Sequence, residues 1–262
     1  MPLAHAPDGR AIYFAHVPKA GGSSVEDRLE ARFGPLQLLD RAHEPRRRAR
    51  ATAEPVSPQH MPGAEAARRL PQVASGRAWR FAVVRDPLRR LLSAHRFQFH
   101  GMGREDPARR PPPWRARFAR LGLTPWLALS LAATRLDPGY LDGHLRPQVD
   151  FLPPDPPGAA PCETFRLEDG LQAVEARLDA LFGPGPAGGM GHALRAGKRD
   201  GPTPSRTDLR LILRAHGADY DRFGYARPDP AAAPRDPWGP ARVAQGLALV
   251  PLALALHRGR RM

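Results

Sequence analysis

Cysteine is nearly absent from this chain, with Cys162 as its only occurrence. A lone cysteine cannot form an intramolecular disulfide or supply a cysteine-based metal cluster. The N-terminal residues also lack the basic region and apolar stretch of a signal peptide. Together these absences predict a protein of the reducing cytoplasm.

Long apolar runs are absent as well. The longest, residues 243–256, spans 14 positions and is interrupted by Gln245, Gly246 and Pro251. Because a helix needs about 20 apolar residues to cross the hydrocarbon core of a bilayer, we do not expect a membrane-spanning helix here. The run is followed by a basic cluster, so this C-terminal tail is a candidate for peripheral membrane contact.

Lysine is the third scarce residue type, because only Lys19 and Lys198 among the 40 basic side chains are lysines. The formal net charge of +14 suits an anionic ligand such as a nucleotide, a sulfated polysaccharide, a nucleic acid or a membrane surface. Arginine, alanine, proline and glycine are all frequent, however, as GC-rich codon usage would also produce. An ammonium group is a compact point charge, whereas a guanidinium is a planar fork. The retained Lys19 is therefore more informative than the total charge.

Apolar segments that alternate with amphipathic ones indicate the fold. Two segments predict buried strands, residues 11–17 and 79–84, and residues 163–167 are a candidate third strand. Each is followed by a helical pattern, which predicts an α/β fold with a mainly parallel central sheet flanked by helices. We predict one domain over residues 1–226, and a proline-rich linker with a short apolar and basic tail over residues 227–262.

Proline and glycine shape the predictions for the other segments. Residues 41–58 are basic and contain proline, which predicts a loop. Residues 114–133 are predicted to be helical in two pieces that are broken at Pro125. Residues 183–204 are predicted to form a mobile loop, and Ser205 with Asp208 predicts a capping box at the start of the next helix.

A glycine turn follows the first predicted strand, where residues 18–24 read Pro-Lys-Ala-Gly-Gly-Ser-Ser. Glycines let the backbone approach a ligand, and the N–H groups at the start of a helix attract an anion. Lys19 adds a positive charge, and Ser23 and Ser24 add hydroxyl donors. The lysine precedes the glycines, so this is not a Walker A motif. The pattern predicts a phosphate cradle, with an ordinary strand-to-helix turn as the alternative.

A second motif, Val-Val-Arg-Asp-Pro, ends the second predicted strand. Arg85 lies at the carboxyl end of that strand, where ligands of open α/β sheets bind, and Ser93 follows eight residues later. Both side chains could reach one anion. Asp86 and Pro87 are explained as a helix cap and a first helical residue. Alone, the motif fits a surface arginine and a solvated serine equally well.

Together, F-x-H-V-P-K-A-G-G-S-S and F-A-V-V-R-D-P-x-x-R-L-L-S resemble the sulfotransferases that use 3'-phosphoadenosine-5'-phosphosulfate (PAPS). The similarity is greatest to the branch of carbohydrate and heparan sulfate enzymes and their bacterial relatives, and it covers roughly residues 11–226. It implies a P-loop-NTPase-like sulfotransferase fold. It implies that the 5'-phosphosulfate is held by Lys19, Ala20, Gly21, Gly22, Ser23 and Ser24. It also implies that Arg85 and Ser93 hold the 3'-phosphate.

Weaker similarity lies in four further segments, which are residues 57–60, 144–152, 165–169 and 220–225. His60 occupies the position between the two motifs where the family carries a catalytic histidine. Residues 144–152 are similar to an H-x-x-P-Q-x-x-F-L segment, which implies acceptor binding by His144 and Gln148. The loop after Gly183 has no clear version of the family's nucleotide-closing segment.

Sulfuryl transfer is an in-line displacement at sulfur, in which an acceptor hydroxyl attacks and the 5'-phosphate leaves. Lys19 is suited to stabilise charge on the leaving oxygen. The attacking hydroxyl needs a general base, for which we choose His60, with His144 and Glu65 as the other candidates. His16 is predicted to be a hydrogen-bonded structural residue. The donor carries no triphosphate, so no metal is required.

The function predicted from these motifs is transfer of a sulfuryl group from PAPS to a hydroxyl of a carbohydrate or glycolipid. A nucleotide or small-molecule kinase is one alternative, but it needs carboxylates for Mg²⁺, and only Asp86 ends a predicted strand. A non-enzymatic anion or nucleic-acid binder is the other. The basic run at residues 41–50 has no interleaved aromatics, so we expect no nucleic acid partner. Lys198 and Arg199 could fold over the nucleotide or belong to a solvated loop.

Overall fold

The computed structural model describes residues 1–48, 52, 54–100, 114, 117–118, 120–190 and 202–258. The chain divides into two compact units, which we name the sheet unit and the helical unit. The sheet unit contains Met1–Arg41, Val56–Asp86 and Gln148–Lys198. The helical unit contains Ala42–Pro55, Pro87–Pro147 and Arg199–Met262. The predicted domain boundary at residue 226 stays a prediction.

A mainly parallel sheet of four strands, in the order β1-β2-β3-β4, forms the centre of the sheet unit. Its strands are β1 (Leu3–His5), β2 (Ala11–Ala15), β3 (Trp79–Val84) and β4 (Glu163–Arg166). β2, β3 and β4 are parallel neighbours, as predicted, whereas β1 pairs antiparallel with β2. β1 was not predicted because three residues are too few to show an alternating pattern. The finer P-loop-NTPase-like assignment stays a prediction.

The helices of both units follow in chain order. They are α1 (Gly22–Phe33), α2 (His43–Arg48), α3 (Gly63–Arg69), α4 (Pro71–Ala74), α5 (Pro87–His100), α6 (Leu123–Leu136), α7 (Gln172–Phe182), α8 (Arg206–Phe223), α9 (Gly239–Ala248) and α10 (Val250–His257). The Ser205–Asp208 capping box at the start of α8 is confirmed, because each residue bonds the backbone N–H of the other.

The core of the sheet unit packs α1 and α7 against the sheet. Phe14 stacks on Phe81 of the next strand with ring centroids 5.0 Å apart, and Val25 and Leu29 of α1 pack in the same cluster. These side chains are fully buried. Each Å² of apolar surface removed from water stabilises the fold by about 25 cal/mol. The hydrophobic effect therefore fixes α1, which begins at the predicted phosphate cradle.

Two arginines on α1 also bind α7 and the chain beyond it. The Nε of Arg28 lies 2.9 Å from both carboxylate oxygens of Glu175, and Arg32 Nη1 lies 2.7 Å from Asp179. Arg28 also donates to the carbonyl oxygen of Pro186 at 3.0 Å. The first residues of the predicted loop 183–204 are thus held against α1. Residues 191–201 lie outside the described part of the chain.

In the helical unit, two predictions from proline need correction. Residues 114 and 117–118 are helical and a turn at residues 120–121 precedes α6, so the two helical pieces are confirmed. The break was wrongly placed at Pro125, because proline in the first turn of a helix lacks only an N–H that has no intrahelical partner. The predicted loop over residues 41–58 contains α2, an arginine-rich helix with Pro45 in its first turn. Arginine is a good helix former, so the charged run did not exclude a helix.

The predicted C-terminal tail folds as α9 and α10. Val250 and Ala253 of α10 join Trp126 and Leu129 of α6 in one buried cluster. By length and composition alone, Gly239–His257 could cross a membrane: it has 19 residues with a mean hydropathy of 1.4, and 28% of its most apolar stretch is buried. This helical segment is longer than the 14-residue run in the sequence, because the residues before the run are helical too.

Candidate active site

The turn between β2 and α1 has an unusual backbone at Lys19. Its φ is 68°, and Gly21 two residues later has a φ of 84°. Glycine adopts this left-handed region freely, but another residue gives up about 1–2 kcal/mol to do so. Strained residues of this kind cluster at functional sites, where the surrounding structure holds them. The strain therefore lies at the predicted catalytic lysine.

The start of α1 is open to an anion. Gly21 precedes the helix without a side-chain cap, and the first turn carries no acidic residue. The N–H of Ser24 bonds the carbonyl oxygen of Gly21 at 3.1 Å, which closes the turn. Because the first turn carries no acidic side chain, an anion placed here would be attracted by the aligned amides of the helix.

Gly22 is required for a reason that the sequence did not indicate. A Cβ at this position would lie 2.0 Å from Nε2 of His16 and within 2.5 Å of two further ring atoms. The imidazole of His16 thus rests directly on the backbone at the start of α1. The two glycines serve different needs: Gly21 supplies a left-handed conformation, and Gly22 makes room for a side chain of the protein itself.

Arg85 lies at the end of β3, next to the glycine turn. Its Nη1 donates to the carbonyl oxygen of Lys19 at 3.3 Å. The fully buried Gln148 holds the backbone of Arg85 from both sides, accepting from its N–H at 2.9 Å and donating to its carbonyl oxygen at 2.8 Å. The structure therefore brings the two motifs together. The amide of Gln148 positions Arg85 in this structure. A contact between Gln148 and the acceptor substrate stays a prediction.

His60 is buried in the sheet unit beside this turn. Its Nδ1 lies 3.1 Å from the hydroxyl oxygen of Ser57, and its ring meets that of His16 edge-on with centroids 4.7 Å apart. When Nδ1–H donates to that hydroxyl, the lone pair of the neutral imidazole is on Nε2. The contact with His16 connects His60 to Gly22 and hence to the glycine turn.

His16 forms a buried ion pair with Glu26 of α1, in which Nδ1 lies 2.5 Å from Oε1. Burial lowers the pKa of His16, against the attraction of Glu26 and its hydrogen bond. Burial alone would raise the pKa of Glu26, but the charge and hydrogen bond of His16, with His60 and Arg41, hold it below its usual range. At neutral pH Glu26 is therefore a carboxylate that is hydrogen-bonded to the buried imidazole of His16.

Glu26 is the residue of this site that sequence reasoning missed. It follows the core residue Val25 and lies one helical turn beyond Gly22, so it is on the buried side of α1. A carboxylate at such a position needs a partner, and that requirement was the available signal. The structural role predicted for His16 is confirmed by its hydrogen bond to Glu26.

Four of the predicted site residues lie outside the sheet unit or outside the described residues. Ser93 on α5 and His144 belong to the helical unit. His144 is buried, with its ring 5.3 Å from that of Phe97, and its carbonyl oxygen accepts from Arg90 at 3.0 Å. Their roles stay predictions. Lys198 and Arg199 lie outside the described part of the chain.

The comparison with protein families identifies the class. The model of the sulfotransferase family matches residues 6–152, which include both motifs and His60. This match covers more than half of the chain, so the protein belongs to the sulfotransferase family. Comparisons with curated proteins and with solved structures gave no significant match. Members of the family transfer a sulfuryl group to an acceptor hydroxyl, and this chain is a sulfotransferase by family.

Proposed function

We propose that the protein transfers a sulfuryl group from PAPS to a hydroxyl group of a carbohydrate. The observation that carries this proposal is the contact between the two motifs, in which Arg85 donates to the carbonyl oxygen of Lys19 at 3.3 Å. A donor with phosphate groups at both its 5' and 3' positions needs two neighbouring cationic sites, and these two motifs supply them.

The residues around the glycine turn fit the donor. The uncapped start of α1 and the ammonium of Lys19 would hold the 5'-phosphosulfate, together with Ala20, Gly21, Gly22, Ser23 and Ser24. Arg85 would hold the 3'-phosphate with Ser93. When bound, PAPS supplies a sulfuryl group attached to a phosphate leaving group. Lys19 would neutralise the charge that develops on the phosphate oxygen as the S–O bond breaks.

His60 would accept the proton of the attacking hydroxyl. The new S–O bond forms to the acceptor oxygen, and the proton moves to Nε2 of the imidazole. In this role Nδ1–H donates to the hydroxyl oxygen of Ser57 at 3.1 Å, which orients the ring and puts the lone pair of the neutral imidazole on Nε2. No step in this scheme requires a metal ion.

The acceptor is proposed to be a carbohydrate or the sugar of a glycolipid, reached in the cytoplasm at the membrane surface. The net charge of +14 favours anionic surfaces. In the predicted tail, Trp238 and Leu247 are 68% and 48% exposed. Exposed aromatic and apolar side chains beside arginines are typical of interfacial helices. Sedimentation with anionic vesicles should pull down the wild type and lose it in W238S/L247S.

A thermal-shift experiment tests the donor assignment. We expect 3'-phosphoadenosine-5'-phosphate to raise the melting temperature without Mg²⁺, and AMP and ATP to raise it much less, because only the first carries a 3'-phosphate. Equal shifts with all three nucleotides would remove the 3'-phosphate site from the account. A shift that appears only with ATP and Mg²⁺ would favour a kinase.

A further inference from the structure

Three ionisable side chains meet in the interior of the sheet unit. His16, Glu26 and His60 are 6%, 4% and 8% exposed, and they come from three separate elements. His16 lies in the middle, with Glu26 on one side at 2.5 Å and the ring of His60 on the other at a centroid distance of 4.7 Å. A buried carboxylate is costly unless it is paired, so this arrangement needs an explanation beyond packing.

Glu26 is hydrogen-bonded to a histidine, whereas a purely structural buried carboxylate would be expected to pair with an arginine. Arg41, whose charge acts on Glu26, is itself engaged with Asp27 and Glu30. The carboxylate of Glu26 is instead hydrogen-bonded to Nδ1 of the His16 imidazole. A carboxylate thereby lies in the interior near His60, with the His16 ring between them.

We propose that Glu26 and His16 are positioning residues for His60: they fix its imidazole relative to the glycine turn, and Glu26 stabilises the positive charge that His60 acquires. Three contacts support the first part. Glu26 orients His16, the His16 ring contacts His60 edge-on, and the same ring rests on Gly22 at the start of α1. A shift of His16 would therefore move the base and the phosphate turn relative to each other.

The second part follows from electrostatics. When His60 takes the acceptor proton, a cation forms in a poorly hydrated interior, where a nearby carboxylate attracts it more strongly than in water. Nδ1 of His60 faces the hydroxyl of Ser57, which is an uncharged group. The inference rests on the proposed function only for the role of His60 as the base, and the geometry of the three side chains is independent of it.

The test compares Glu26→Gln with Glu30→Gln, a matched control one turn further along α1 whose carboxylate pairs with Arg41 at 2.8 Å. We expect E26Q to lower kcat at least ten-fold and to change KM for donor and acceptor less than two-fold, because ground-state binding is untouched. E30Q should keep both constants. Glu26→Asp, which keeps the charge, should recover most of the lost rate and also serves if E26Q folds poorly.

Two further measurements separate this role from a structural one. In a His60→Ala background, E26Q should cost less than two-fold in rate, since the residue that it acts on is gone. In NMR spectra assigned by the loss of signal in H60A, the ring resonances of His60 should move in E26Q and stay unchanged in E30Q. The same ten-fold loss in both backgrounds, or unmoved His60 resonances, would overturn the inference. If the wild type transfers no sulfate from PAPS, the proposed function fails, and the NMR comparison still decides on the pair.

Discussion

The sheet unit and the helical unit bury polar side chains for different purposes. In the sheet unit, His16, Glu26, His60 and Gln148 are buried around a turn where backbone strain is also found. In the helical unit, the fully buried Arg90 donates to the carbonyl oxygens of His144 and Arg146 at 3.0 and 2.6 Å. One network lies beside the glycine turn of the first motif, and the other holds the backbone of a loop.

The helical unit also contains a buried ionisable pair that has a structural role. His216 and Asp219 are completely buried, 3.3 Å apart, at a point where α8 departs from helical geometry with a φ of −123° at His216. The pair stabilises a kink in a helix. The comparison teaches that a buried polar side chain does not by itself identify a reactive site. Strained backbone does not do so either, because it occurs at Lys19 in the sheet unit and at Leu141 and Asp142 in the helical unit. Four predictions test this contrast.

The largest effect is expected from Lys19→Ala. Removing the ammonium should lower kcat by about 10²–10³-fold, in line with the loss of one preorganised charge at a developing anion. Acceptor binding should change little. Transfer of radiolabelled sulfate from PAPS measures the rate, and Arg177→Ala, which removes an exposed arginine paired with Glu163, is the control. Near-normal turnover of K19A would contradict the claim that Lys19 in the strained turn takes part in sulfuryl transfer.

Gly22→Ala should come next and should affect both stability and rate. Its Cβ would lie 2.0 Å from the His16 ring, so we expect a loss of about 1–3 kcal/mol in the free energy of unfolding. The displaced ring should lower turnover as well. Urea denaturation and the sulfate assay measure the two effects. Gly189→Ala, where no atom lies within 4 Å, is the matched control.

A double variant tests whether the His16 ring is the obstacle. In combination with His16→Ser, the stability cost of G22A should shrink. If the stability losses of the two single variants simply add, the ring is not the obstacle.

Gly246→Ala is the corresponding change in the helical unit. Its Cβ would lie 2.3 Å from the carbonyl oxygen of Pro125 on α6, which is backbone and cannot rotate away. We expect a similar loss of about 1–3 kcal/mol in stability. The kcat of the molecules that remain folded should be unchanged. A fall in kcat equal to that of G22A would contradict the claim that packing in the helical unit affects stability without affecting turnover.

The smallest effect is expected from pH. Burial lowers the pKa of His16 from its ordinary value of 6.5, so the unfolded chain binds a proton that the folded protein excludes. This contribution to stability is complete above pH 6.5 and is lost as the pH falls towards the lowered folded value. Melting temperatures between pH 7.5 and 5 should therefore fall more steeply in the wild type than in His16→Gln. Parallel curves would show that His16 does not carry the dependence.

Much of the fold could be predicted because its signals are local. β3 was predicted with its bounds as Trp79–Val84, and the start of α5 at Pro87 follows from a favoured first helical residue. The errors came from reading proline without its position. Pro125 and Pro45 each lie in the first turn of a helix, where proline is tolerated.

The site was predictable in its motifs and not in its connections. Lys19 and Arg85 could be found from their places at strand ends. That the His16 ring rests on Gly22, and that Gln148 holds the backbone of Arg85, depends on packing between segments far apart in the chain. Contacts of this kind produce no recognisable motif or residue spacing in the sequence. Glu26 was the partial exception, because a carboxylate on the buried side of α1 already indicates a hidden partner.

The most direct measurement is a structure of the protein with 3'-phosphoadenosine-5'-phosphate bound. The account predicts the 5'-phosphate at the uncapped start of α1, in contact with Lys19, and the 3'-phosphate at the guanidinium of Arg85. A nucleotide bound elsewhere, or with its 3'-phosphate away from Arg85, would contradict the claim that the two motifs form one donor site.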